Sequence, residues 1–433
     1  FRRLETNVDG RTVRALDTVP ATPGTDLQLS IDLDLQQAMV EAFGELEGTA
    51  VAVDPRTGEV LAMVSLPAYD TNLFVNGISH ADYKALQDNP SRPQFNRLVL
   101  GGVAPGSTIK PLTTLAGLDS GVRRPEDRVL STGVFRLPGM RGRGWLDGVH
   151  GWTDARKAIY ESVNTYYYQL ALDMGVQRYD TYMARYGFGQ KTGIDLAGEI
   201  EGIVPSPASK QQYEKKARWY PGDLVNASIG QGLWKVTPLQ LVRGVAAIAD
   251  GGRMRRPHLV ANTRPRFDAP WQPLPQAEPI RISDDAGHVR VVQEGMQMTT
   301  VGSGTAARIF RGSPYLSAGK TGTAQVVNRG ARAVDPRSLP LWKRHRGLYI
   351  GYAPADDPKI AIAIAVEGGG FGADSAAPIA RKVFDAWLLG KAPAPATATA
   401  GGDAAATRPD FSNVVGNPTS PPPVPTAPVP ASA

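Results

Sequence analysis

The chain has 433 residues, 42% of them hydrophobic and 20% charged, the profile of a folded protein with ample apolar mass for a core. At about 150 residues per domain, that length points to roughly three domains. Cysteine is absent, which excludes disulfides, Cys-based zinc sites, iron–sulfur clusters and a thiol nucleophile, and the 47 Gly and 36 Pro follow no repeat, which excludes collagen-like and solenoid folds.

The net charge of +6 favours an anionic neighbour such as a membrane surface. Its basic runs, at residues 210–218, 253–256 and 343–346, are scattered and read as solvated faces. The longest apolar run, residues 360–366, has seven residues, far short of the roughly 20 of a membrane-spanning helix. The first residue is Phe1 rather than Met, so removal of an N-terminal segment, a signal or an anchor, is expected.

In chain order, residues 4–14 carry Asp9-Gly10 between possible strands, a hairpin signal. Residues 35–43 have helical spacing. Residues 48–53 and 60–66 flank Asp54-Pro-Arg-Thr-Gly58 as a second hairpin. Helices are expected over 107–120, 153–159, 165–174, 177–186, 238–249 and 284–300. Thr237 caps the fifth of these ahead of Pro238, and Ser283 is the cap expected for the last. Residues 347–352 and 359–366 read as paired strands, and 375–389 as a helix closed by Gly390. Strands at both ends with helices between them indicate an α+β fold in which the first and last hairpins share one antiparallel sheet. Residues 391–433 contain 10 Pro and 11 Ala with few large apolar side chains, and read as a disordered tail with polyproline character.

The five histidines lie in no nucleophile or zinc motif, and each reads as a surface or structural residue; His150 beside Asp147 is too little for a metal site. Serine chemistry with a lysine base remains. Ser107-Thr-Ile-Lys110 matches S-x-x-K, Ser162-Val-Asn164 matches S-x-N, and Lys320-Thr-Gly322 matches K-T-G. S-x-x-K recurs at Ser317–Lys320 and K-T-G at 191–193, so context decides. Ser107 follows Pro105-Gly106 and opens a helical pattern, with Lys110 one turn on and within reach of the hydroxyl. Ser317 precedes a β-like stretch. Lys320 lies in an edge-strand pattern whose small residues admit a ligand to the backbone, whereas Lys191 lies in a structural loop. A phosphate loop ending at Lys320 is excluded because Pro314 stands where it needs glycine. The glycines of residues 368–373 lack the acidic partner of a dinucleotide site, and no nucleic-acid partner is expected.

In this order the three motifs resemble those of the penicillin-binding acyl transferases with an active-site serine. Residues 65–79, 101–112 and 223–240, the last including Ile229-Gly-Gln-Gly-Leu-Trp234, resemble the elongation-specific class B penicillin-binding proteins, the penicillin-binding protein 2 group. The likeness spans residues 1–390. It implies a β-lactamase/transpeptidase-like domain, a five-stranded antiparallel sheet flanked by helices with a largely helical lobe, over 46–390. Residues 1–45 would be the end of a non-catalytic pedestal, and 391–433 the tail. The implied reaction is peptidoglycan cross-linking at the periplasmic side of the inner membrane. Ser107 would be the nucleophile, Lys110 the base, its pKa lowered by desolvation and by Lys320 as a nearby cation, and Ser162 a proton relay. Asn164 would hold substrate amides, and Thr321, Gly322 and Thr323 the substrate strand, with Thr323 and Ser107 N–H groups as oxyanion hole. No cofactor or metal is implied, since the zinc site of some relatives includes Cys. The implied partners are stem peptides, β-lactams, a membrane glycosyltransferase of the shape, elongation, division and sporulation family, and an elongation scaffold protein. A division-specific relative, a carboxypeptidase and a β-lactam sensor are the alternatives; a class A β-lactamase lacks support, because no E-x-x-L-N follows Ser162.

Since the tail sequence carries no core of its own, deleting residues 391–433 is expected to leave the melting temperature unchanged within about 2 °C, by scanning calorimetry.

Overall fold

A computed structural model describes residues 2–18, 24–140, 144–214, 218–325 and 339–390; the expected tail lies outside them. The chain divides into two compact units, one of Phe1–Leu66 with Phe95–Ala396, the other of Pro67–Gln94 with Thr397–Ala433. In the described part of the second, a 3₁₀ turn, Thr71–Phe74, is followed by a helix, His80–Asp88, which Ser79 caps.

The first unit is built on an antiparallel sheet of five strands: β1 (Gly48–Val53), β2 (Val60–Leu66), β3 (Ala318–Ala324), β4 (Arg346–Ala353) and β5 (Ile360–Val366), in the order β3-β4-β5-β1-β2. The hairpin that joins the C-terminal pair is therefore residues 48–66. The first hairpin, Arg2–Thr6 with Thr12–Thr18, forms a separate two-stranded sheet, contrary to expectation. Its side chains are exposed at Leu4 and Val13, so it has no apolar face to bury in the larger sheet.

Strands β1 and β5 are buried at every residue, because helices cover both faces. The two-residue period sorts their side chains. Val51, Val53, Ile350, Tyr352, Ala361 and Ala363 face a single core shared with the helices α2 (Lys110–Asp119), α3 (Asn164–Met174), α4 (Pro238–Ala249) and α5 (Ala286–Met298). On the other face, α1 (Leu33–Phe43) packs on α6 (Ala376–Leu389), and Phe310 stacks on Tyr349 and meets Phe384. The helices outside the sheet constitute the helical lobe that the resemblance implies.

Local chemistry sets the helix ends. Thr237 Oγ1 accepts from Gln240 N at 3.2 Å while Gln240 Oε1 accepts from Thr237 N at 3.0 Å, a reciprocal cap ahead of Pro238. Gly390 closes α6 in the left-handed region at φ 60°. Ser283 is not the cap of α5. Asp285 accepts from Gly287 and His288 N–H groups there, and the Ser283 hydroxyl donates to Asp119 Oδ1 at the end of α2. Residues 210–218 are not simply a solvated run either: Lys210 is buried in the helix Pro207–Tyr213, 2.8 Å from Asp223 Oδ2. No described helix is long and apolar enough to cross a membrane.

Candidate active site

Ser107 lies on a 3₁₀ turn, Gly106–Ile109, that runs directly into α2. In a 3₁₀ turn, residues i and i+3 eclipse, so Ser107 and Lys110 project from one side. Gly106 enters the turn at φ 51°, a conformation that favours glycine, and a methyl group there would come within 2.5 Å of Thr323 O. The turn packs directly against β3.

Lys110 is fully buried, as is every other α2 residue through Leu118. Its ammonium donates to Ser162 O at 2.7 Å, Ser162 Oγ at 3.1 Å and Asn164 Oδ1 at 2.7 Å, and lies 5.1 Å from the centre of the Tyr167 ring. Ser162 presents both of its oxygens from a left-handed backbone at φ 61°, rare for a residue with a Cβ and a form of strain that collects at working sites. Asn164 follows as the first residue of α3. The geometry thus joins S-x-x-K to S-x-N. It differs from expectation in one respect: the Lys110 hydrogen bonds run to Ser162 and Asn164, while the Ser107 hydroxyl, half-buried, bonds to no described residue.

Burial pushes the Lys110 pKa down to about 7, against the opposing pull of Asp147. Desolvation, the first of the two causes expected, leads. Lys320, also fully buried, is held well below its usual value by desolvation and then by the charge of Lys110. Two ammonium groups in one dry pocket resist being charged together. Lys320 Nζ donates to Thr321 O at 3.0 Å.

Strand β3 lies on the sheet edge, as its sequence indicates. Its small residues also make room for neighbouring protein. A methyl group on Gly322 would sit 2.8 Å from Thr108 Cγ2, and one on Gly319 would sit 2.1 Å from Tyr349 OH. Thr321 donates its hydroxyl to Thr305 Oγ1 at 2.9 Å, and Thr323 O accepts from Gln231 Nε2 at 2.9 Å. Ser107, Lys110, Ser162, Asn164 and the Lys320–Thr323 stretch therefore meet through the Ser107 turn.

The duplicate motifs do other things. Ser317 is buried, its carbonyl bound by the Thr300 hydroxyl at 2.6 Å, and leads into β3 rather than a helix. In the second K-T-G, Thr192 donates its N–H and hydroxyl to Glu199 Oε1 at 2.8 and 2.7 Å, and Gly193 N donates to Glu199 Oε2, a loop clamp. His150 bonds Glu161 and His288 bonds Asp119, and the described residues contain no group of three metal-ligating side chains.

Sequence reading passed over three contributors. Thr305 and Tyr167 lie in no motif that marks them. Asp147, noted only beside His150, binds Thr165 N and Oγ1 at the start of α3 and exerts charge on Lys110.

Residues 48–385 match the penicillin binding protein transpeptidase domain. The chain belongs to that family. Among curated penicillin-binding relatives it is 37% identical to the peptidoglycan D,D-transpeptidase MrdA of Salmonella typhimurium, over 89% of this chain and 62% of that protein. It is 39% identical to MrdA of Acinetobacter baumannii, over 90% of this chain and 58% of the relative. The chain thus spans about three fifths of the length of these relatives. Its fold matches the crystal structure of Pseudomonas aeruginosa PBP2 in complex with WCK 5153 at 41% identity and TM-score 0.77, covering 85% of this chain and 76% of that one. It also matches PBP2 in complex with MreC from Helicobacter pylori at 28% identity and TM-score 0.75, covering 90% and 69%. The sheet, the flanking helices and the helical lobe are those of this penicillin-binding family.

Because Glu199 satisfies three donors from a buried position, Glu199→Ala is expected to cost on the order of 2–4 kcal/mol in urea denaturation, with Lys191→Ala near neutral.

Proposed function

We propose that the chain is the catalytic part of a peptidoglycan D,D-transpeptidase of cell elongation, acylated at Ser107 by stem peptides and by β-lactams. The observation that carries this reading is the buried Lys110, bonded at once to both oxygens of Ser162 and to Asn164, one turn from the Ser107 hydroxyl. A lysine whose pKa lies near 7 exists substantially as the free amine at neutral pH, which an ordinary lysine does not.

The side chains then have these roles. Neutral Lys110 takes the Ser107 proton as the oxygen attacks the carbonyl of a terminal D-Ala-D-Ala. The N–H groups of Ser107 and Thr323 receive the developing oxyanion. As the C–N bond breaks, the proton returns through Ser162 to the departing D-Ala amine, leaving an ester on Ser107. The amine of a second stem peptide attacks that ester, forms the cross-link and frees Ser107. Asn164 fixes Lys110 and meets substrate amide groups, and Thr321 and Thr323 receive the terminal carboxylate beside Gly322. Lys320 shares the dry pocket, and a charge on it would favour the neutral form of Lys110.

The likenesses to MrdA, and to solved assemblies of PBP2 with MreC and of a peptidoglycan synthase complex, support the elongation assignment. By the same reading the partners are a polymerising glycosyltransferase and a scaffold protein. Residues 1–45 end a pedestal, residues 46–390 form the catalytic domain in the periplasm, and an anchor holds the protein at the inner membrane.

Mass spectrometry after penicillin treatment is expected to place one adduct on the peptide containing Ser107; an adduct on Ser317 instead would overturn the assignment. Lys110→Ala and Lys110→Arg are each expected to abolish acylation of folded protein, because neither side chain is a free amine at neutral pH. The acylation rate constant of the native chain is expected to rise about tenfold per pH unit below 7 and to level off above it, as Lys110 loses its proton, in stopped-flow assays with a fluorescent penicillin.

A further inference from the structure

The segment Ile229-Gly-Gln-Gly232 has no part in the chemistry above, yet it touches both halves of the site. It leaves the helix Pro221–Ser228 as a loop folded back on that helix: Gly230 N donates to Ala227 O at 2.9 Å and Gln231 N to Asn226 O at 3.0 Å. The same Ala227 carbonyl accepts from Trp234 Nε1 and from Tyr179 OH, both buried. The loop is therefore fixed at its base.

From that base it reaches in two directions. Gly230 O accepts from Gly106 N at 2.9 Å, immediately before the nucleophile, and Gly230 has φ 74° with no room for a Cβ, since a methyl group would meet Gly106 O at 2.1 Å. The side chain of Gln231 spans to β3. Its Nε2 donates to Thr323 O at 2.9 Å and its Oε1 accepts from Gln325 N at 3.3 Å. A primary amide is the one side chain that presents a donor and an acceptor in the spacing of a peptide group. On the open edge of β3, Gln231 thus takes the place of a residue in a neighbouring strand.

We propose that Gln231 is a positioning residue for the oxyanion hole, which sets the Thr323 N–H against the Ser107 turn by bonding the carbonyl and the next outward N–H of the same strand. Thr323 would otherwise sit at the frayed end of an edge strand, one residue from its terminus at Ala324. A donor that must stabilise a developing charge acts only if it is already in place, so slack at this position lowers the rate of acylation more than it weakens binding. The inference rests on the Ser107 acyl-enzyme proposed above.

The test compares the native chain with Gln231→Leu, which removes both bonds, and Gln231→Glu, which keeps the acceptor for Gln325 N and loses the donor to Thr323 O. Stopped-flow acylation by a fluorescent penicillin separates the pre-acylation dissociation constant from the acylation rate constant. Infrared difference spectra with carbonyl-labelled penicillin read the ester stretch of the acyl-enzyme. The rate constant is expected to fall about tenfold or more in both variants with the dissociation constant within threefold. The ester stretch is expected to move to higher frequency, because a displaced N–H polarises the carbonyl less. Rate constants within twofold of native in both, or a loss confined to the dissociation constant with an unchanged stretch, would overturn the proposal. Should Gln231→Leu fail to fold, Gln231→Glu carries the same readings. A native chain that takes no label would overturn the acyl-enzyme reading and this inference with it, which distinguishes that failure from a native chain that acylates alongside variants that do so equally well.

Discussion

The site depends on the burial of one ammonium group. Lys110 is held at zero exposure in the first turn of α2, a helix whose residues from Lys110 to Leu118 are all buried. An unpaired charge there would be prohibitive, and two of the oxygens around it, Ser162 Oγ and Asn164 Oδ1, are neutral side-chain acceptors rather than carboxylates. That choice matters. A carboxylate in contact would stabilise the charged amine and raise its pKa, whereas hydroxyl, carbonyl and amide oxygens satisfy the donors while desolvation still brings the pKa to about 7. The one acid that acts on Lys110, Asp147, spends its hydrogen bonds on Thr165, at the start of α3. The fold thereby holds a lysine near neutrality without leaving its donors unmet.

A second constraint follows from bringing a strand edge against the Ser107 turn. Such contact leaves no space for Cβ atoms, and the glycines fall where the backbones meet: Gly106 against Thr323 O, Gly322 against Thr108, and Gly230 against Gly106 O. These three positions fix the gap between Ser107 and Thr323 by van der Waals contact, and the hydrogen bonds from Gly106 and Gln231 fix their lateral register. The left-handed Ser162 belongs to the same economy of space, with its carbonyl and hydroxyl both turned toward Lys110.

Residue patterning makes the sheet and most helices legible. β1 and β2 run over the residues that their apolar runs indicate, on either side of Asp54-Pro-Arg-Thr-Gly58, and α4 begins and ends where Thr237-Pro238 and the apolar period place it. The three motifs are legible as types, and their convergence is a matter of tertiary structure. What sequence does not carry is which partner a polar side chain finds. Ser283 and Asp285 are equally good caps on paper; the choice is made by Asp119 at the end of α2, which takes the Ser283 hydroxyl. Lys210 sits in a basic run, and only the fold brings Asp223 to it. The short helices Pro207–Tyr213 and Pro221–Ser228 carry proline in their first turn, a start signal easily read as a loop.

The mutual coupling of the two lysines is the deepest of these hidden features. Desolvation and a nearby cation are together expected to lower the pKa of Lys110, and only the fold shows which leads. In the fold both lysines are fully buried, desolvation is the leading cause for each, and two ammonium groups so placed oppose each other's charge. Loss of the proton from either amine removes the repulsion on the other, while burial still opposes the charge of whichever remains. Such coupling is strong only while both amines stay dry, and both are fully buried where β3 packs on the Ser107 turn.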